Sequence, residues 1–104
     1  MTVERLKELG WQDADMWNNR MFYVLSEDSK YSIFEHNGFG ILHPYNKNFE
    51  LIYCDLTDDE IVKYTEMVKT IENIVNHPKD NSLYDYCVAE KAIVDFVKEM
   101  QDRS

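Results

Sequence analysis

The sequence predicts an α+β domain: a short N-terminal helix, an antiparallel sheet of three or four strands, and two longer C-terminal helices packed together on one face of it. Its length of 104 residues suits one domain, because domains commonly hold ~100 to 150 residues. The first half carries short aromatic and β-branched segments separated by turn residues, whereas the second half repeats apolar residues every three or four positions. We therefore treat residues 1–104 as a single domain.

A short helix opens the chain. The Thr2 side chain can cap it, and Val3, Leu6 and Leu9 then fall on one side. Gly10 follows with the left-handed conformation that often ends a helix.

Strands follow, and residues 11–19 are expected to form a loop or the start of a strand. The predicted strands are Met21–Leu25, Lys30–His36, Phe39–His43 and Phe49–Cys54. Turns are predicted at Ser26–Ser29 and Pro44–Asn48. The sharpest turn signal is Asn37-Gly38, because both residues tolerate the positive φ of a two-residue hairpin turn. The strands are therefore expected to form a meander.

Two long helices complete the chain. Thr57-Asp58-Asp59-Glu60 is a capping box that starts the first of them. The segment Asn76–Asn81 ends it, because Pro78 disfavours helical geometry at His77. Ser82 can cap the second, which is expected to run to about Asp102. The residues predicted to face inward are Ile61, Tyr64, Val68, Ile71, Val75, Tyr86, Ala89, Ile93, Phe96, Val97 and Met100.

Charge and composition narrow the function classes. Eleven Lys and Arg against twenty Asp and Glu leave a net charge of -9, which repels phosphate backbones and anionic lipid. No stretch approaches the ~20 apolar residues of a spanning helix. Cys54 and Cys87 lie in apolar segments and are expected to be unpaired in a reducing compartment. We expect a cytoplasmic protein that binds neither nucleic acid nor membrane directly.

Metal and catalytic motifs are missing from the sequence. It has no C-x-x-C or H-E-x-x-H spacing, and a two-residue turn would place His36 opposite Phe39 and His43 about 13 Å away along the strands. Neither cysteine lies near a helix N-terminus or a cationic group that would lower its pKa. We expect no metal, no cofactor and no enzymatic activity.

One carboxylate stands out. Glu90 falls inside the apolar arc of the last helix, so it should find a donor such as a Tyr hydroxyl or a His, or lie at the helix edge. The enzyme alternative is a small hydrolase or nucleotide-handling activity that uses Glu90 with His36 or His43. The competing interpretation is that all three side chains are structural.

The broader feature is a set of acids with interspersed aromatic residues. The candidate partner-binding residues are Trp11, Asp13, Asp15, Trp17, Glu27, Asp28, Tyr45, Asp55, Asp58, Asp59 and Glu66. Spaced carboxylates can present the charge pattern of phosphates to Lys and Arg in a groove built for nucleic acid. The competing interpretation is that the charge only keeps the protein dissolved.

Several short motifs of the sequence are similar to those of other small proteins. Leu9-Gly10-Trp11, the polar-aromatic strands and Leu56-Thr57-Asp58-Asp59-Glu60 resemble small uncharacterised proteins of phages and prophages of low-GC Gram-positive bacteria, over about residues 4–76. Many small acidic products of mobile elements inhibit host defence enzymes, including anti-CRISPR proteins that mimic DNA, and bacterial immunity proteins have similar size and charge. The resemblance implies a binding role and transfers no functional residue.

The functional expectation is a non-enzymatic, stoichiometric inhibitor of the anti-defence, anti-CRISPR or immunity type. Its acidic surface would block a basic, nucleic-acid-binding protein by charge mimicry, and it would be a monomer or a homodimer. A third alternative is a homodimeric structural component of a mobile-element assembly, joined through apolar surface that the long helices leave exposed.

Overall fold

A computed structural model describes residues 1–17, 20–42, 44, 51–52 and 55–103, with the side chains of Trp17 and Leu51 outside that description. The elements in chain order are α1 (Val3–Glu8), β1 (Gln12–Trp17), β2 (Arg20–Val24), β3 (Ile33–Glu35), β4 (Phe39–Leu42), β5 (Leu51–Ile52), α2 (Asp58–Asn76) and α3 (Leu83–Arg103). This order confirms the predicted α+β class: a short helix, an antiparallel sheet and two longer helices.

The sheet is a meander in which each strand pairs antiparallel with the next along the chain, in the order β1-β2-β3-β4-β5. It therefore has five strands where three or four were expected. The additional strand is β1, in the segment expected to be a loop or the start of a strand. Its polar sequence carries little strand propensity, and pairing with β2 determines its conformation.

The core face of the sheet is set by strand register. Tyr23 pairs with Ile33, Ile33 with Ile41, and Ile41 with Ile52, so four buried side chains form one row across the sheet. Because neighbouring strands are in register, the alternation of side chains places this row on the face that α2 and α3 cover.

The β3–β4 connection corrects the predicted register by one residue. Glu35, and not His36, lies opposite Phe39, because the turn uses three residues. Asn37 and Gly38 do adopt positive φ values of +58° and +132°, as the sequence predicts. A Cβ on Gly38 would lie 2.6 Å from Oδ1 of Asp55, an exposed side chain that can move aside, so the positive φ is what favours glycine here.

The short N-terminal helix begins and ends as predicted. Oγ1 of Thr2 accepts a hydrogen bond from the Arg5 N–H at 3.1 Å, and Gly10 follows with a φ of +111°. Leu6 is fully buried and joins the main core.

Both long helices are capped as predicted. Thr57 and Glu60 form a reciprocal capping box at the start of α2, and Ser82 and Asp85 form an equivalent pair at the start of α3. The two helices pack together, and the Tyr64 and Phe96 rings stack with centroids 5.3 Å apart. Val75, which was expected to face inward, is 58% exposed because it lies in the last turn of α2, beyond the core.

Candidate functional site

Three carboxylates from two segments of the chain meet at the edge of the sheet. Asp13 and Asp15 on β1 and Glu27 in the β2–β3 turn line one shallow depression of about 320 Å³. All three are exposed, and among the described residues no Lys or Arg lines the depression. We call these three residues the acidic edge.

Strand β1 positions two of the three carboxylates. Its pairing with β2 shifts by one residue between Asp13 and Met16, which marks a bulge, and residues 12–16 are all exposed. No strand of the described chain pairs with the outer edge of β1. Lys7 contacts Asp13 at 3.4 Å, but both side chains are about half exposed, and such surface pairs are weak.

The β2–β3 turn holds Glu27 and Asp28. The Ser29 N–H donates to the Ser26 carbonyl at 3.1 Å, and the Ser29 side chain bonds the backbone of Tyr31 at 3.2 Å. This closed turn separates two depressions. Glu27 belongs to the acidic edge, whereas Asp28 lines a neighbouring cleft.

That cleft, also of about 320 Å³, lies between the turn, the C-terminal end of α2 and the first turn of α3. We call it the tyrosine cleft. The residues that define its character are Asp28, Lys30, Tyr31, Glu72, Val75 and Tyr86. It combines two aromatic rings and apolar side chains with groups of both charges, as ligand-binding clefts do.

Sequence analysis missed the tyrosine cleft because its walls come from three distant segments. One signal was present: Glu72 follows Val68 by four positions and precedes Val75 by three, so it interrupts the apolar stripe of α2. In the structure Glu72 is half-buried, and its Oε1 is buried with no hydrogen-bond partner among the described residues.

The other candidate acids are exposed but do not join the acidic edge. Asp55 lines a small depression of about 190 Å³ with His36 and Gly38. Asp58 lies 2.6 Å from the amino group of Met1, which compensates its charge. Asp59 and Glu66 are exposed on α2. The candidate acids among the described residues therefore do not all line one depression.

Trp11 is a core residue and not part of a partner-binding surface. It is 2% exposed, its ring stacks parallel to Tyr64, and its Nε1–H donates to Oγ1 of Thr65 at 2.8 Å. The predictions for the Trp17 side chain and for Tyr45 lie outside the described residues.

Glu90 finds the kind of donor that the sequence required. The Tyr86 hydroxyl donates to Oε2 of Glu90 at 2.9 Å, one helical turn away. His36 is exposed in the β3–β4 turn, and the depression of about 190 Å³ that it lines does not include Glu90. His43 lies outside the described residues.

Clustered metal ligands are absent from the part of the chain that the structure describes. That part contains no group of three or more His, Cys, Asp or Glu side chains placed to hold a metal ion. Cys87 is an exposed free thiol on α3, and Cys54 lies outside the described residues. None of the described helices has the length and apolar character needed to span a bilayer.

An exposed apolar patch covers the start of α3. Leu83 is 79% exposed, Tyr84 75% and Val88 52%, and these three residues lie within two helical turns of each other. Large side chains exposed together are typical of interaction surfaces.

Comparison with known proteins gave no relative: no family model, no curated protein and no solved structure matches this chain.

Proposed function

We propose that this protein is a non-enzymatic, stoichiometric inhibitor that binds a basic, nucleic-acid-binding protein through its acidic edge. The surface would occupy a groove that otherwise holds phosphates and so exclude nucleic acid from it. Inhibition of this kind needs one inhibitor molecule per partner and no chemical step.

One observation carries the proposal. Asp13, Asp15 and Glu27 line a single depression that no described Lys or Arg enters. The exposed Lys7–Asp13 pair offsets one of these charges only weakly, so three carboxylates in one place create a negative potential stronger than that of isolated surface acids. A surface of this kind attracts a partner that presents several Lys or Arg side chains together.

The chain's overall charge supports the same proposal. With a net charge of -9, the whole molecule attracts a basic partner from a distance, and the acidic edge then supplies local contacts. The resemblance of residues 4–76 to phage and prophage proteins suggests the biological setting, which we infer to be inhibition of a host defence enzyme, anti-CRISPR action or toxin immunity.

Affinity capture from a bacterial lysate tests the proposal. Tagged protein should retain a basic protein at about 0.1 M ionic strength and lose it near 1 M, where the Debye length falls to about 3 Å. The captured protein should bind nucleic acid, and added inhibitor should displace that nucleic acid at a one-to-one ratio.

The matched control separates a local surface from total charge. The variant D13N/D15N/E27Q should lose capture, whereas D80N/E99Q/D102N removes the same number of charges at exposed positions outside the acidic edge and should keep it. Equal capture by both variants, or capture that survives 1 M salt, contradicts the proposal.

A second candidate function is favoured by the α3 patch. Leu83, Tyr84 and Val88 are large exposed side chains near one another on α3, and surfaces of this kind can support self-association in a homodimeric assembly component. Light scattering distinguishes the two functions: a concentration-dependent dimer that L83S/V88S converts to a monomer supports assembly, and a monomer at all concentrations removes this candidate.

A further inference from the structure

The tyrosine cleft contains an acceptor for which the described chain provides no donor. Oε1 of Glu72 is buried and has no hydrogen-bond partner among the described residues. Removing a carboxylate oxygen from water without a partner is unfavourable, so buried groups of this kind nearly always receive a hydrogen bond. Glu72 also lines the cleft, so a ligand that brings donors there would satisfy this oxygen once the carboxylate turns toward the ligand.

The carboxylates and the aromatic ring that line the cleft favour a positively charged ligand. Asp28 provides a second carboxylate, and the Lys30 ammonium already lies over the Tyr31 ring, 5.4 Å from its centroid. This cation–π contact shows that the ring face accepts a positive charge. The Lys30 side chain is long and exposed, so it can move away. A cation from a ligand can then occupy the position over the Tyr31 ring.

The geometry favours a flat cation over a spherical one. Tyr31 and Tyr86 both line the cleft, and the hydrogen bond from Tyr86 to Glu90 holds the second ring in place. A guanidinium group stacks on aromatic rings and donates two parallel hydrogen bonds to a carboxylate, which an ammonium group cannot do. A volume of about 320 Å³ is at the lower end for ligand sites and suits one side chain.

We propose that the tyrosine cleft binds the guanidinium group of an arginine side chain supplied by the protein partner. Glu72 accepts hydrogen bonds from the guanidinium, Tyr31 and Tyr86 contact its faces, and Asp28 adds negative charge at the turn. This inference rests on the proposed function for the identity of the partner. The chemistry of the cleft itself can be tested without that partner.

The direct test is an NMR titration of the full chain with N-acetyl-arginine amide. Amide shifts should concentrate in residues 28–31, 71–76 and 86. The neutral isostere N-acetyl-citrulline amide should cause no such shifts. If free arginine binds much more tightly than the blocked form, the cleft recognises an amino acid and not a side chain, and the proposal is wrong.

Variants on one helix provide the matched comparison. E72Q keeps the size of the side chain and should weaken binding roughly tenfold or more, because a charge-assisted pair is lost. E66Q removes an exposed carboxylate of α2 outside the cleft and should leave binding unchanged. If E72Q does not fold, D28N serves instead and should weaken binding several-fold. Equal binding by wild type and folded E72Q overturns the proposal.

The capture experiment separates failure of this inference from failure of the proposed function. Loss of the partner in D13N/D15N/E27Q but full retention in E72Q would leave the inhibitor function standing and overturn the arginine site. Selective binding of N-acetyl-arginine amide without any captured basic partner would overturn the inhibitor function and leave the guanidinium chemistry of the cleft standing.

Discussion

At the scale of single residues, Thr65 connects the start of the sheet to α2. Its Oγ1 accepts a hydrogen bond from the Trp11 indole at 2.8 Å and donates to the Ile61 carbonyl at 2.7 Å. Thr65 is fully buried, so its hydroxyl is satisfied entirely within the protein. The bond joins residues 54 positions apart and fixes the indole against Tyr64.

Replacing Thr65 with Val should lower the free energy of unfolding by about 1–3 kcal/mol, because the Trp11 N–H is then buried without a partner. Thr70 is the matched control: its hydroxyl also donates to the carbonyl four residues earlier, at 2.8 Å, but it is exposed. Thr70→Val should change stability by no more than about 0.5 kcal/mol. Urea unfolding of both variants checks this, and equal effects would contradict it.

At the scale of elements, an ion pair joins the end of α3 to the start of α2. Arg103 at the end of α3 pairs with Glu60 in the first turn of α2 and also donates to the Asp55 carbonyl at 3.3 Å. The Arg103 guanidinium, together with hydrogen bonds from Thr57, holds the pKa of the Glu60 carboxyl below its usual value of 4.5, although burial opposes this. The ionised form of Glu60 therefore stabilises the fold.

This contact predicts a pH dependence. Because the pKa of Glu60 is lower in the folded state, its contribution is present above pH 4.5 and is lost as pH falls through the folded-state pKa. R103Q should therefore be less stable than wild type near neutral pH, and the difference should shrink below pH 4.5. Denaturant unfolding across pH measures it, with K98Q as a control for loss of positive charge on α3. A constant difference at all pH values contradicts the prediction.

Local signals predicted much of the fold. The capping residues Thr57 and Ser82 mark helix starts correctly because capping bonds join neighbours in sequence. Asn37-Gly38 locates the turn, yet the register slips by one because the sequence does not show how many residues the turn uses. Strand β1 was uncertain because its pairing with β2, and not its own composition, makes it a strand.

The candidate site was less accessible to sequence reasoning. Asp13, Asp15 and Glu27 were all identified as candidates, but only the tertiary fold brings them to one depression. Trp11 was grouped with them because its partner Thr65 is distant in sequence. Glu90 was the opposite case. Its position in the apolar arc of the last helix predicted that it needs a hydrogen-bond donor, and that donor, Tyr86, is one helical turn away.

At the scale of the whole molecule, negative charge is in excess. The net charge of -9 is what remains after all eleven Lys and Arg are set against the twenty acids. Among the described residues, the ion pairs Arg5–Glu8, Lys7–Asp13 and Lys91–Asp95 are exposed and individually weak. Mutual repulsion among the surplus carboxylates opposes the compact state.

Added NaCl should therefore stabilise the protein. Between about 0.01 and 0.15 M the Debye length falls from about 30 to 8 Å, and the free energy of unfolding should rise by on the order of 1 kcal/mol. The variant D80N/E99Q/D102N, which carries three fewer negative charges, should respond less. Thermal or urea unfolding at several salt concentrations measures this, and destabilisation by salt would show that attractive pairs dominate instead.

The outer border of β1, which pairs with no strand of the described residues, limits how other chains can approach. Its bulge and its flanking carboxylates make a poor template for a further strand. Two copies brought side by side along this border would force Asp13 and Asp15 against their equivalents, so ladder-like stacking into fibrils is disfavoured even in concentrated solution. A protein that binds this border must therefore contact its side chains, while the outer main-chain groups of β1 remain hydrated.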